Sequence, residues 1–222
     1  MKSFLKEQTS TDCESNNTYN TPRKMEKLKS LNSLLISQKK EWGEILTGFD
    51  TKNKYVISDK SGETIYYAAE EGGSLLSRFF LKSLRPFTIV VLTDSDQVLL
   101  RVKRVFRFWF HEAKIVDSQD ESLGVLKKRF SIFRRKYSVF DGNGEEIYQL
   151  FGPILKPWTF FIKNNGTEYG KITKKWSGLL KESFTEADNF GVVFPEEWDV
   201  KVKALFLGAV FLIDFVHFEK NA

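Results

Sequence analysis

The chain is poor in the residues that most often carry chemistry. A single cysteine, Cys13, excludes an internal disulfide framework and a cysteine zinc site. Two histidines, His111 and His217, leave little material for histidine-centred catalysis. The long, repeated apolar runs of a polytopic membrane protein are missing. There is no dinucleotide glycine fingerprint and no P-loop, and strand-like runs do not alternate with long helices, so a doubly wound nucleotide fold is not expected. Proline is scarce as well, with only Pro22 before Pro86.

Aromatic residues are abundant. The 222 residues include 21 Phe, 7 Tyr and 5 Trp, which need a substantial interior and favour strands. Lys and Arg number 34 against 29 Asp and Glu, a net charge of +5. That modest excess suits acidic partners such as phosphate-bearing lipid or nucleic acid.

Residues 1–30 are rich in Ser, Thr, Asn and Lys and contain no apolar core of a secretion signal. They read as a disordered polar leader of an intracellular chain, ahead of one domain over 31–222. The spacing of Leu31, Leu34, Leu35, Trp42, Ile45 and Leu46 suits a short helix or an edge segment.

Beyond Gly48, Asp, Asn and Gly clusters at 59–62, 94–96, 117–120, 141–144 and 164–166 each divide two apolar or aromatic runs. The runs pair as antiparallel hairpins: 54–58 with 64–69, 87–92 with 98–102, 130–140 with 146–151, and 158–162 with 168–172. Serial hairpins predict a mainly β fold, a barrel or sandwich whose closure removes exposed edges. The Asp-Gly-Asn-Gly at 141–144 reads as a hairpin turn, because the rest of a calcium loop does not follow it.

Residues 200–218 predict one helix, apolar on all faces. Lys203 and Asp214 bracket the uncharged run 204–213, about half of the ~20 apolar residues that a membrane span needs. A helix of that kind belongs inside a core, with Leu205, Leu207, Phe211 and Asp214 among strands.

Several stretches in order resemble the phospholipid scramblase family: Thr-Gly-Phe-Asp-Thr-Lys-Asn-Lys-Tyr at 47–55, Gly-Glu-Thr-Ile-Tyr-Tyr-Ala-Ala-Glu at 62–70 and Arg-Pro-Phe at 85–87. The later ones are closer still: Gly-Lys-Ile-Thr-Lys-Lys-Trp-Ser-Gly at 170–178, Glu-Ser-Phe-Thr-Glu-Ala-Asp-Asn-Phe-Gly at 182–191, Phe194 with Pro195, then 199–204 leading into 211–215. The resemblance implies a tubby-like closed antiparallel barrel of about 12 strands around a central hydrophobic C-terminal helix. It further implies calcium-dependent, ATP-independent movement of phospholipids in both directions between leaflets, by a protein at the cytoplasmic face of a membrane, the plasma membrane in a eukaryote. No enzyme is expected, and oligomers on the membrane are one route to transport.

The acidic stretch 182–199 is the candidate calcium segment. Counted from Glu186, a 12-residue loop has carboxylates at positions 1, 3 and 12 (Glu186, Asp188, Glu197), glycine at 6 (Gly191) and a carbonyl available at 7 (Val192). Positions 5 and 9 are Phe190 and Phe194, which bring no side-chain oxygen, so weak binding is expected. A second reading of the same residues is that Phe190, Val192 and Phe194 alternate along a half-buried strand while the acids favour the start of the next helix.

Two basic clusters, Arg101, Lys103, Arg104 and Arg107, then Lys127, Lys128, Arg129, Arg134, Arg135 and Lys136, are interleaved with aromatics. They suit anionic lipid first and nucleic-acid phosphates second, while a charged outer face of a barrel is the plainer account of any one of them. The animal relatives' cysteine-rich stretch has no counterpart here, since 105–115 contain no cysteine and thioester lipid anchoring there is excluded.

Overall fold

A computed structural model describes residues 25–39, 53–72, 86–105, 110–132, 134–174 and 189–218. Twelve strands close into one antiparallel barrel in chain order: β1 (Ser33–Lys39), β2 (Lys54–Ser58), β3 (Thr64–Glu70), β4 (Phe87–Leu92), β5 (Val98–Arg104) and β6 (Glu112–Asp117), then β7 (Ser122–Arg129), β8 (Arg135–Asp141), β9 (Glu146–Gly152), β10 (Thr159–Asn164), β11 (Thr167–Lys174) and β12 (Asn189–Val193). β12 returns to β1, with Leu34 opposite Val192, so every strand has two neighbours and no edge is left open. The helix α1 (Val200–Ile213) fills the interior and continues as a π-helical turn, Asp214–Phe218.

The barrel has two unlike ends. Short Asp- or Asn-headed turns join β2 to β3, β4 to β5, β6 to β7, β8 to β9 and β10 to β11, all at one end. Their chemistry is local. Asp59 Oδ1 accepts from the backbone N–H groups of Ser61 and Glu63, Asp117 Oδ1 from those of Gln119 and Glu121, and Asp141 Oδ1 from those of Asn143 and Glu145. Gly144 supplies the left-handed backbone, φ 88°, that closes its turn. The other end carries the longer connections, among them 105–111, 130–134 and 153–158.

The interior is apolar and the outer face charged, the reverse of an outer-membrane barrel. One large cluster joins inward residues such as Tyr55, Tyr66, Tyr137, Phe160, Phe190 and Phe194 to the helix. A smaller one, Ala69, Val90 and Leu92, lies on the outside of β3 and β4. α1 is buried from Lys203 to Ile213, as a helix without a polar face must be. Asp199 caps it, Oδ1 accepting from the backbone of Lys201 at 2.7 Å. Among the described residues no helix is long and apolar enough to cross a membrane.

Three expectations are corrected. Residues 33–39 form β1 rather than a helix, and β1 is a paired strand rather than an edge. The run 130–140 is not one strand: β8 begins at Arg135, and Phe130 and Ile132 stand in the loop before it. Packing also begins ahead of Leu31, because Met25 precedes and Leu28 ends the 3-10 turn Glu26–Leu28, and both are buried in the core.

Candidate functional site

The long-loop end gathers the unusual surface. Among the described residues, the large apolar side chains left exposed are Val105 and Phe110 between β5 and β6, Phe130 and Ile132 between β7 and β8, and Ile154, Leu155 and Trp158 between β9 and β10. Only Tyr169 lies elsewhere. Leu155 is 93% exposed, Phe130 79% and Ile132 75%, so these tips face outward rather than cover the core. In a serial antiparallel barrel alternate connections share an end, which is why three separate loops converge.

The same end holds much of the basic residue set, and the structure sorts it by direction. Arg101 and Lys103 lie on the outer face and share Asp120, at 3.6 and 2.7 Å. Arg129 bonds Glu146 Oε2 and Ser138 Oγ, both at 2.7 Å. Lys127 lies over the Phe140 ring and Arg134 over Phe151. Lys136 is half-buried on β8, and Arg107 lies outside the described residues.

Arg135 turns inward, donating to the carbonyls of Pro157 and Lys156 at 2.6 and 3.2 Å, which shapes the β9–β10 loop, and its guanidinium lies 4.4 Å from the Phe160 ring centre. Arg104 is 2% exposed and bonds the Nδ1 of His111, itself 8% exposed. A guanidinium only donates, so Nδ1 is the acceptor and the neutral imidazole carries its proton on Nε2. Burial, then the charges of Arg104 and Lys128, push the His111 pKa down to about 4.

The end of the helix emerges here as well. Asp214 accepts from Tyr55 Oη at 3.1 Å and from Lys174 Nζ at 3.4 Å, a bonding role inside the barrel. His217 Nε2 meets the Tyr137 hydroxyl at 2.8 Å, and Phe218 stacks on Trp158. Leu205, Leu207 and Phe211 are buried deeper, with Phe211 against Tyr55.

The segment read as a calcium loop is described only from Asn189 onward. From Asn189 to Val193 it is extended ladder, and Phe190, Val192 and Phe194 are interior. β12 therefore separates its two ends by about 16 Å at ~3.3 Å per residue, with Asn189 at the long-loop end and Glu197, exposed, at the other. Glu186 and Asp188 lie outside the described residues. Of the acids after β12, Asp199 caps the helix, and burial holds the Lys203 pKa below its usual value against the upward pull of Glu196, Glu197 and Asp199.

The bond of His111 to Arg104 and the exposure of Phe130, Ile132, Ile154 and Leu155 escape the sequence reading. The tips had a signal, since 153–158 is an apolar stretch flanked by Pro153 and Pro157, a loop pattern.

Comparison with known proteins agrees with the motifs. Human phospholipid scramblase 1 is 34% identical over 216 residues, 91% of this chain and 68% of its own length. Bovine phospholipid scramblase 2 is 35% identical, covering 90% of this chain and 73% of its own. Human phospholipid scramblase family member 5 is 32% identical, with 92% and 80% covered. The family model named Scramblase matches residues 13–220, and the chain, a tubby-like barrel around its helix, belongs to that family.

Proposed function

We propose that this protein is a phospholipid scramblase-like protein that docks by its long-loop end on a bilayer containing anionic lipid and lets phospholipids pass between leaflets without ATP. The observation that carries the reading is the convergence of exposed Phe130, Ile132, Ile154, Leu155 and Trp158 with Lys127, Lys128, Arg129 and Arg134 on one end of the barrel. Apolar tips enter the interfacial region while cations nearby meet lipid phosphates, each worth on the order of 1 kcal/mol near an anionic surface. The transport step comes from the named relatives. Docking supports it by placing the barrel where tips inserted in one leaflet disturb its packing.

The test is a dithionite-quench assay on vesicles with fluorescent lipid, paired with flotation, with and without calcium. Native protein should float with anionic vesicles and expose inner-leaflet lipid to the quencher. Phe130→Ser with Leu155→Ser should lower flotation at least about tenfold. Flotation without quenching leaves a docking protein and removes the transport reading. Equal flotation of native and variant removes the long-loop end as the docking surface. A response confined to calcium, lost in Asp188→Ala, places the trigger before β12, and quenching indifferent to calcium removes calcium dependence.

A further inference from the structure

Beneath the apolar tips, the barrel mouth is lined by cations that turn inward. Their direction follows from contacts lower in the same strands. A Cβ on Gly208 of α1 would meet Val102 and Ile115, so those two face the helix. By alternation Arg104, two residues beyond Val102, and His111, on the Ala113 and Ile115 side, face it too. A Cβ on Gly124 would meet Leu205, so Gly124, Leu126 and Lys128 are inward, while Lys127 and Arg129 are outward.

The Lys128 backbone N–H donates to the His111 carbonyl at 2.8 Å, holding the two residues side by side, and Arg104 bonds the His111 ring.

We propose that Arg104, Lys128 and His111 form a pocket in this mouth for the phosphate group of a phospholipid headgroup. The inference rests on the docking reading above and adds the group that the docked barrel selects.

Three features fit a phosphate. The guanidinium offers a planar fork of donors, the ammonium a point charge, and the imidazole a further N–H on Nε2, which together match an oxyanion with several acceptors. Positive charge gathers within the site: burial and Arg104 lower the Lys128 pKa, and burial, Arg104 and Lys128 lower that of His111. Lys128 is half-exposed at the lip and Arg104 2% exposed beneath it, an order that lets a phosphate enter from the bilayer side and be drawn inward.

Adjacent residues supply the test, because Lys127→Gln and Lys128→Gln remove the same charge from the outside and the inside of one strand. Calorimetry of the full chain with glycerol 3-phosphate, and flotation with phosphatidylcholine vesicles containing phosphatidic acid, is run on both variants and on native protein. Lys128→Gln should weaken both interactions about tenfold or more, the loss of one charge-assisted hydrogen bond, whereas Lys127→Gln should weaken glycerol 3-phosphate binding less than about threefold and lower flotation only by the about fivefold of one surface charge. Glycerol 3-phosphate should also compete with phosphatidic acid vesicles.

Equal losses in the two variants, or no saturable binding of glycerol 3-phosphate, overturn the pocket and leave docking by the tips standing. Binding of glycerol 3-phosphate that does not compete with vesicles overturns the lipid as its source and assigns the site to a free phosphate ester. Absence of flotation together with intact glycerol 3-phosphate binding removes the docking reading instead.

Discussion

Lys203 shows how one residue can join distant parts of the chain. It sits on the first turn of α1 with no measurable exposure, and its ammonium contacts the carbonyls of Leu28, Lys29, Leu31 and Glu196 at 2.7 to 3.1 Å. Its charge also lies over the Phe194 ring. In the sequence the same residue only interrupts an apolar run, because nothing local says where its partners are. Lys203→Met keeps the apolar stem but strips one buried and three part-buried carbonyls of this donor. It should destabilise the fold by about 2 to 4 kcal/mol, read as a lower denaturant midpoint with unchanged slope. An unchanged midpoint would mean that water replaces the ammonium. Lys127 and Lys128 teach the same lesson at the mouth. Their basic character is plain from sequence, but which of them faces inward depends on register, and that is fixed by the bulge between Ile115 and Val116 and by Gly124 lying against Leu205.

Among the elements, the short turns were the most legible, since in three of them the side chain of Asp59, Asp117 or Asp141 bonds the backbone two and four residues on whatever the rest of the molecule does. β1 was not legible as a strand. Leu31, just ahead of it, with Leu34 and Leu35 mimics a helical spacing, and only pairing with β2 and β12 decides the matter. The late start of β8, at Arg135 rather than Phe130, was hidden too, because an apolar residue in sequence carries no mark of being covered or bare.

In α1, Gly208 lies where the helix comes closest to the wall. An added Cβ would stand 2.7 Å from Ile115 Cγ1 and 3.3 Å from Val102 Cγ2. Alanine normally stabilises a helix interior by about 1 kcal/mol over glycine, but overpacking a filled core costs about 1 to 3 kcal/mol. Gly208→Ala should therefore lower the melting temperature. A rise would show that β5 and β6 yield to the helix.

Across the whole molecule, the cations of the mouth link stability to pH. Burial first, then Arg104 and Lys128, holds His111 at about 4. Burial first, then Arg135, Lys128 and His111, holds His217 at about 3. The unfolded chain takes up these protons as pH falls through about 6.5, whereas the folded chain resists until about 4 or below. Stability is then full above about 6.5 and is lost between about 6.5 and 4, by up to about 1.4 kcal/mol per pH unit for each ring. Denaturant midpoints measured from about pH 7.5 down to 5 should fall, and the fall should be shallower in His217→Gln. A flat profile would place both rings in contact with solvent.

The closed ring around α1 also sets the order in which the protein can be completed. The helix follows β12 in the chain and enters from the short-turn end, yet β12 must pair with β1, at the opposite extreme of the barrel sequence. A ring sealed beforehand would have to be threaded through a space that side chains fill. Closure and helix burial are therefore one event, and it waits for residues beyond 199. Until they leave the ribosome, the aromatic inner face of all twelve strands lacks the helix that covers it, so an apolar surface that chaperones recognise is the expected state of this chain over most of its synthesis.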